Sequence, residues 1–192
     1  MSDTQPAPAD QADWVVKACH EVGHAVIGDH VGRVFRRIEW IIDENGSRAQ
    51  FVTGDTVIAS DDLEATRAAL HGRLLISVAG VVAVELARGR PPTIDVLRND
   101  QTCADDFEQA IETATLMLGP GASDDQKLEL IAEVMHECQM ELTQHDRAAY
   151  QQTLVSRLLE MRRSRPRGLV VLDSREFDEA LRRVEGVWFS RE

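Results

Sequence analysis

The run CHEVGHAVIG, which begins at Cys19, contains two histidines and a glutamate whose types and spacing suit a metal ion that does chemistry. On a helix, residues four apart stand one turn apart on one face, so His20 and His24 can aim two imidazoles at a single cation. Glu21 lies one residue further on, too far round to ligate beside both, yet near enough to reach a water bound to the metal. A zinc ion with three protein ligands and one water lowers that water's pKa toward about 7 and polarises a substrate carbonyl. Glu21 is then placed as the general base that takes the proton and later hands it to a leaving amine. The chemistry implied is hydrolysis of a peptide bond. The competing reading is a packed helix whose histidines are satisfied by hydrogen bonds. Gly23 and Gly28 weigh against it, because glycine costs helix stability unless something must approach closely.

The motif needs a helix to present it. Trp14, Val15, Ala18, Val22, Ala25, Val26 and Ile27 recur at intervals of three and four, predicting a helix from about residue 11 to 31. Short runs of β-formers follow: Ile38, Trp40, Ile41 and Ile42 precede the turn signal Asn45-Gly46, and Phe51 and Val52 come after it, so a hairpin is expected. Asp61-Asp62 reads as an N-cap for a long apolar helix that runs to Gly89 and is stopped by Pro91-Pro92. A further helix starts near Asn99 or Asp105 and ends at LGPG. Beyond it come a helix pair or one broken helix, then a short helix over SREFDEALRRVEG capped by Ser174. The basic run MRRSRPR at 161–167 reads as a solvated helix end and linker. Residues 1–11, rich in Pro, Ala and Asp, read as a loose tail, and 12–192 as a single domain. The fold class is mainly α (α+β), with a small hairpin or sheet beside the motif helix.

Two histidines do not close a zinc site, and the residues alone leave several third ligands open. His30 stands ten residues after His20 but lacks the turn glycine that this spacing needs at position 27, where the chain has Ile27. Glu85, in the apolar stretch VVAVELARG, is a carboxylate in need of a partner. Asp106, in ADDFEQAIETATLML, could equally be a helix-start acid. His71, His136 and His145 have no ligand-like spacing, and HECQM at 136 ends in Met140 rather than a histidine. Cys19 abuts His20 and Cys103 lies three residues before Asp106, so either could approach a zinc, but both read as ordinary buried thiols.

Taken in order, HEVGHAVIG, AGVVAVELARG and ADDFEQAIETATLML resemble the peptidase domain of the FtsH family of zinc metalloproteases, over about residues 14 to 120. The resemblance implies a zincin-like helical peptidase fold, Zn2+ held by His20, His24 and Asp106, Glu21 as the base, and Glu85 as a carboxylate that orients a ligand histidine. Asp100, which follows an Asn in RNDQ, is the reserve for the third ligand. Family members carry membrane helices and an AAA ATPase ahead of this domain, whereas this chain begins shortly before the zinc motif. The expectation is an ATP-independent metalloendopeptidase acting on unfolded polypeptide, or on segments delivered by a separate ATPase or adaptor. A homo-oligomer is implied only through the family's ring. The alternative is an inactive domain of this type serving as a binding or regulatory module.

Composition narrows the partners. Lys and Arg number 21 against 33 for Asp and Glu, a net charge of −12 that disfavours nucleic acid and anionic membrane. The polar N-terminus has no export signal, and no stretch reaches about 18 uninterrupted apolar residues. The three cysteines show no paired spacing, so a reduced, cytoplasmic setting is expected.

Overall fold

The long apolar run after Asp62 becomes the axis of the fold. A computed structural model of the chain describes residues 8–44, 46–53 and 62–189. In chain order the elements are α1 (Pro8–His30), β1 (Phe35–Asp43), β2 (Gly46–Thr53), α2 (Leu63–Ala87), α3 (Ile94–Asn99), α4 (Ala104–Leu118), α5 (Asp124–Thr143), α6 (His145–Ser164), β3 (Gly168–Asp173) and α7 (Ser174–Phe189). A 3-10 turn, Gln101–Cys103, joins α3 to α4. The protein is mainly helical with one small antiparallel sheet.

Helix α2 starts at Asp62, whose carboxylate accepts from the backbone N–H groups of Glu64 and Ala65. It ends before Gly89, which takes a positive φ of 68° that a side chain would resist. By length and composition α2 could cross a membrane. Its apolar character has a nearer cause, since Leu74, Leu75 and Val78 to Val84 are buried against α1, α4 and α5. Helix α1 packs along α2 and also meets α6 and β2.

The sheet has the order β2-β1-β3, with both pairings antiparallel. Ile38 and Trp40 are fully buried, opposite Phe51 and Ala49 on one side and Leu172 and Val170 on the other. The expected hairpin is present, although Asn45 of its turn lies outside the described residues. The third strand has no counterpart in the sequence reading: GLVVLD is too short to show a strand period, and only its register against β1 sends Val170 and Leu172 into the core.

Three boundary readings change. Helix α1 begins at Pro8, inside the stretch read as a tail, while residues 1–7 lie outside the described residues. Helix α7 is capped by Asp173 rather than Ser174, since the Asp173 carboxylate accepts from Glu176 N–H at 3.1 Å. Within MRRSRPR, Arg162 is fully buried instead of solvated. Its guanidinium donates to the carbonyls of Arg165, Gly168 and Trp40 and lies 4.9 Å from the Trp40 ring centroid. Three carbonyls replace its water, so the end of α6, the following turn and β1 are tied together. The pair α5 and α6 is broken at Gln144, and α5 opens with a reciprocal Ser123 and Gln126 cap.

Candidate metal centre

Two glycines set how closely the motif helix approaches its neighbour. A Cβ on Gly23 of α1 would stand 2.6 Å from both the Ala79 carbonyl oxygen and the Ala83 Cβ, so only glycine lets α1 and α2 meet this closely. A Cβ on Gly80 of α2 would fall 2.6 Å from His20 Cε1 and 2.6 Å from His24 Nε2. Gly80 therefore leaves room for both imidazoles. Gly28 is milder, with Phe51 Cζ at 3.0 Å from its Cβ position.

Asp106 joins the histidines from the third residue of α4. Its Oδ2 lies 3.1 Å from His20 Nε2 and 3.3 Å from His24 Nε2, and the two imidazole nitrogens are 3.1 Å apart. Ligands at about 2.0–2.1 Å from a tetrahedral ion are spaced about 3.3 Å from one another. The three donors thus outline one face of a tetrahedron. The orientation of His24 agrees: its Nδ1 is 2.7 Å from the Ile76 carbonyl oxygen, which can only accept, so Nδ1 bears a proton and Nε2, facing Asp106, is the nitrogen left to ligate a metal. Asp106 Oδ2 is buried and has no hydrogen-bond partner among the described residues, although both nitrogens are near. Three donor atoms converge there with no well-aligned hydrogen bond to Oδ2, an arrangement that a cation, whether proton or metal ion, relieves. These residues fit a metal ion.

The electrostatics show the same need for positive charge. Burial opposes the charge of Asp106, yet the imidazoles of His24 and His20 overcome it and hold the carboxyl well below its usual range. Burial alone would lower His24, but the Asp106 charge and contact lift it to about 9. Without a metal, a proton answers the site's negative charge.

Glu21 is 7% exposed, and its carboxylate takes the backbone N–H of Phe51 on β2. Burial pushes its pKa up, while His24, His20 and the Phe51 N–H pull the other way. Together with His20 and Cys103, Glu21 lines a cavity of about 240 Å³ whose exposed surface is mainly apolar, from Val16, Val81, Val84 and Val96 among others, but which Lys17, Arg48, Glu85 and Arg88 also line. A larger cavity of about 520 Å³ between α6 and α7 holds none of the candidate residues.

Among the residues singled out from sequence, His20, Glu21, His24 and Asp106 come together. Glu85 is 1% exposed and lines the same cavity, but its carboxylate bonds to Arg88 at 2.8 Å and Arg90 at 2.7 Å. The Ile76 carbonyl, not Glu85, is the described partner of His24. Asp100 caps the 3-10 turn by accepting from Thr102 N–H and Oγ1–H. His30 lies 2.7 Å from Arg147 Nη2, and His71 lies 3.0 Å from Glu137. Sequence reasoning misses Gly80, which has no local signal beyond being a glycine in an apolar helix. Cys103, noted from sequence as able to approach a zinc but read as an ordinary thiol, is closer to the donors than a packing thiol need be. Its Sγ and the ligand atoms of His20 and Asp106 all lie within 4.8 Å of one another.

No protein-family model matches the chain, and no curated protein matches it at a significant level.

Proposed function

We propose that this chain is a zinc-dependent metalloendopeptidase domain of zincin type, similar to the peptidase domain of the FtsH family. The observation that supports it most directly is the convergence of His20 Nε2, His24 Nε2 and Asp106 Oδ2 within 3.3 Å, with Oδ2 buried and unbonded. Bound there, the metal would activate water and polarise the scissile carbonyl. The Ile76 carbonyl holds His24 in the ligating orientation, and Gly80 keeps the imidazoles free of a clash. Glu21, anchored by the Phe51 N–H, accepts the water proton and returns it to the leaving nitrogen.

The same anchor suggests how a substrate would lie. Phe51 is on β2, which pairs with β1 on one side and with no described strand on the other. β2 is an edge strand, and Ser47 and Ala49 line the cavity with His20 and Glu21. An extended peptide could add to this edge and bring its backbone past the metal. That mode requires unfolded polypeptide, loose by itself or delivered by a separate ATPase or adaptor. The three cysteines are unpaired and buried, which suits a reducing compartment such as the cytoplasm.

The test measures bound zinc and cleavage of unfolded casein for wild type, Glu21→Gln and Asp106→Ala. Zinc retained with cleavage lost in Glu21→Gln supports the peptidase. Zinc bound by a wild type that never cleaves points instead to a binding module without turnover. Undiminished zinc affinity in Asp106→Ala removes Asp106 from the ligand set.

A further inference from the structure

We infer that Cys103 is a fourth protein ligand which, in the resting protein, takes the coordination position that a hydrolytic water needs. This rests on the metal site proposed above and adds its regulation: a latent centre closed by its own thiolate.

The placement comes from the 3-10 turn. Cys103 ends that turn three residues before Asp106, and its N–H is fixed by the Asp100 carbonyl at 2.9 Å. Its Sγ stands with the ligand atoms of His20 and Asp106 in a group spanning no more than 4.8 Å. A sulfur about 2.3 Å from a tetrahedral ion lies about 3.6 Å from its co-ligands, so the sulfur needs a shift of about 1 Å relative to His20 and Asp106 and a larger one relative to His24, which is outside that group. Direction matters as much as distance. Cys103, His20 and Glu21 line the cavity, whereas His24 and Asp106 do not. Cys103 therefore shares with Glu21 the cavity from which a water served by Glu21 would reach the ion.

The turn also provides a second position for the sulfur. Thr102 Oγ1 donates to Asp100 Oδ1 at 2.7 Å, so its 3.8 Å contact with Cys103 Sγ leaves the thiol as the donor. Away from the metal the thiol would rest on Thr102, and on the metal it would be held as a thiolate. Opening would reverse this: Cys103 would leave the metal for Thr102, a water would take its place, and one proton of that water would pass to the sulfur.

The test uses cobalt(II) titrated into the full chain as wild type, Cys103→Ala, Cys103→Ser and Cys19→Ala. Wild type and Cys19→Ala should show a near-ultraviolet thiolate-to-cobalt charge-transfer band, and both Cys103 variants should lack it. Cobalt affinity should fall at least about tenfold in Cys103→Ala. With zinc, its casein cleavage should rise about tenfold, the factor by which a nine-tenths closed resting state holds activity down. The wild-type spectrum needs no variant to fold. Cobalt bound by the wild type without the band overturns the role of Cys103 and leaves the peptidase reading standing. The band with no cleavage by any variant keeps Cys103 as a ligand and overturns the peptidase. No cobalt uptake by the wild type overturns both.

Discussion

Glu21 on α1 and Glu85 on α2 are both almost wholly buried and line one cavity, yet they are in opposite electrical situations. Glu85 is held by two guanidinium groups. Burial alone would push its pKa up, but the hydrogen bonds from Arg90 and Arg88 outweigh this and hold it below its ordinary value. Glu21 has no cation of that kind: one backbone N–H and the neighbouring imidazoles only partly offset its burial, and its pKa is raised. A carboxylate neutralised by fixed cations has nothing left to offer a reaction. One kept buried, singly bonded and next to a cluster of ligand donors can take up a proton when it is delivered. Burial by itself does not separate structure from chemistry; the partner does.

The largest effect that would test this contrast is in catalysis. Glu21→Gln should lower casein cleavage by about 10² to 10⁴-fold with zinc content unchanged, whereas Glu85→Gln should change it by less than about threefold. Equal losses in the two variants would erase the distinction. Next, Gly80→Ala should weaken zinc binding by about 100-fold or more, because its Cβ meets both imidazoles. Equilibrium dialysis would read this, and unaltered affinity would show that the imidazoles can move aside.

A stability effect follows. Arg88→Met with Arg90→Met strands a buried charge and should cost about 3 kcal/mol in denaturant unfolding. Glu85→Gln should cost less, about 1–2 kcal/mol, since the arginines it frees are largely in water. The reverse order would mean that Glu85 is not the group in need of pairing. The smallest effect is in pH. The folded pKa of Glu85 is depressed below the ordinary 4.5, so its stabilising contribution is present above that value and is lost as pH falls through the folded pKa. The stability difference between wild type and Glu85→Gln should therefore shrink below about pH 4.5. A difference independent of pH would assign Glu85 to packing alone.

The candidate metal-binding pair is legible in the sequence because its geometry is local: four residues on a helix always make about one turn, so His20, Glu21 and His24 suggest a metal, a base and a helix together. The hairpin and the cap at Asp62 are legible for the same reason, each being a contact between near neighbours. Arg162 defeats that kind of reading, because a basic run looks solvated until three carbonyls are found around one guanidinium, that of Trp40 from a distant strand. Glu85 falls on the expected helix and in the cavity beside the metal site, but its arginine partners just beyond the helix end look like solvated charge in the sequence.

The sequence by itself determined the chemistry available, since residue types and helical spacing set which atoms can share a face. Only the tertiary structure brought the candidate ligands together. Asp106 reaches His20 from a distant part of the chain because α1 and α4 both pack on α2, and Gly23 and Gly80 let α1 and its imidazoles close in. Convergence of that kind depends on how helices cross and on where a Cβ is missing, and neither is encoded in the spacing of the ligands themselves.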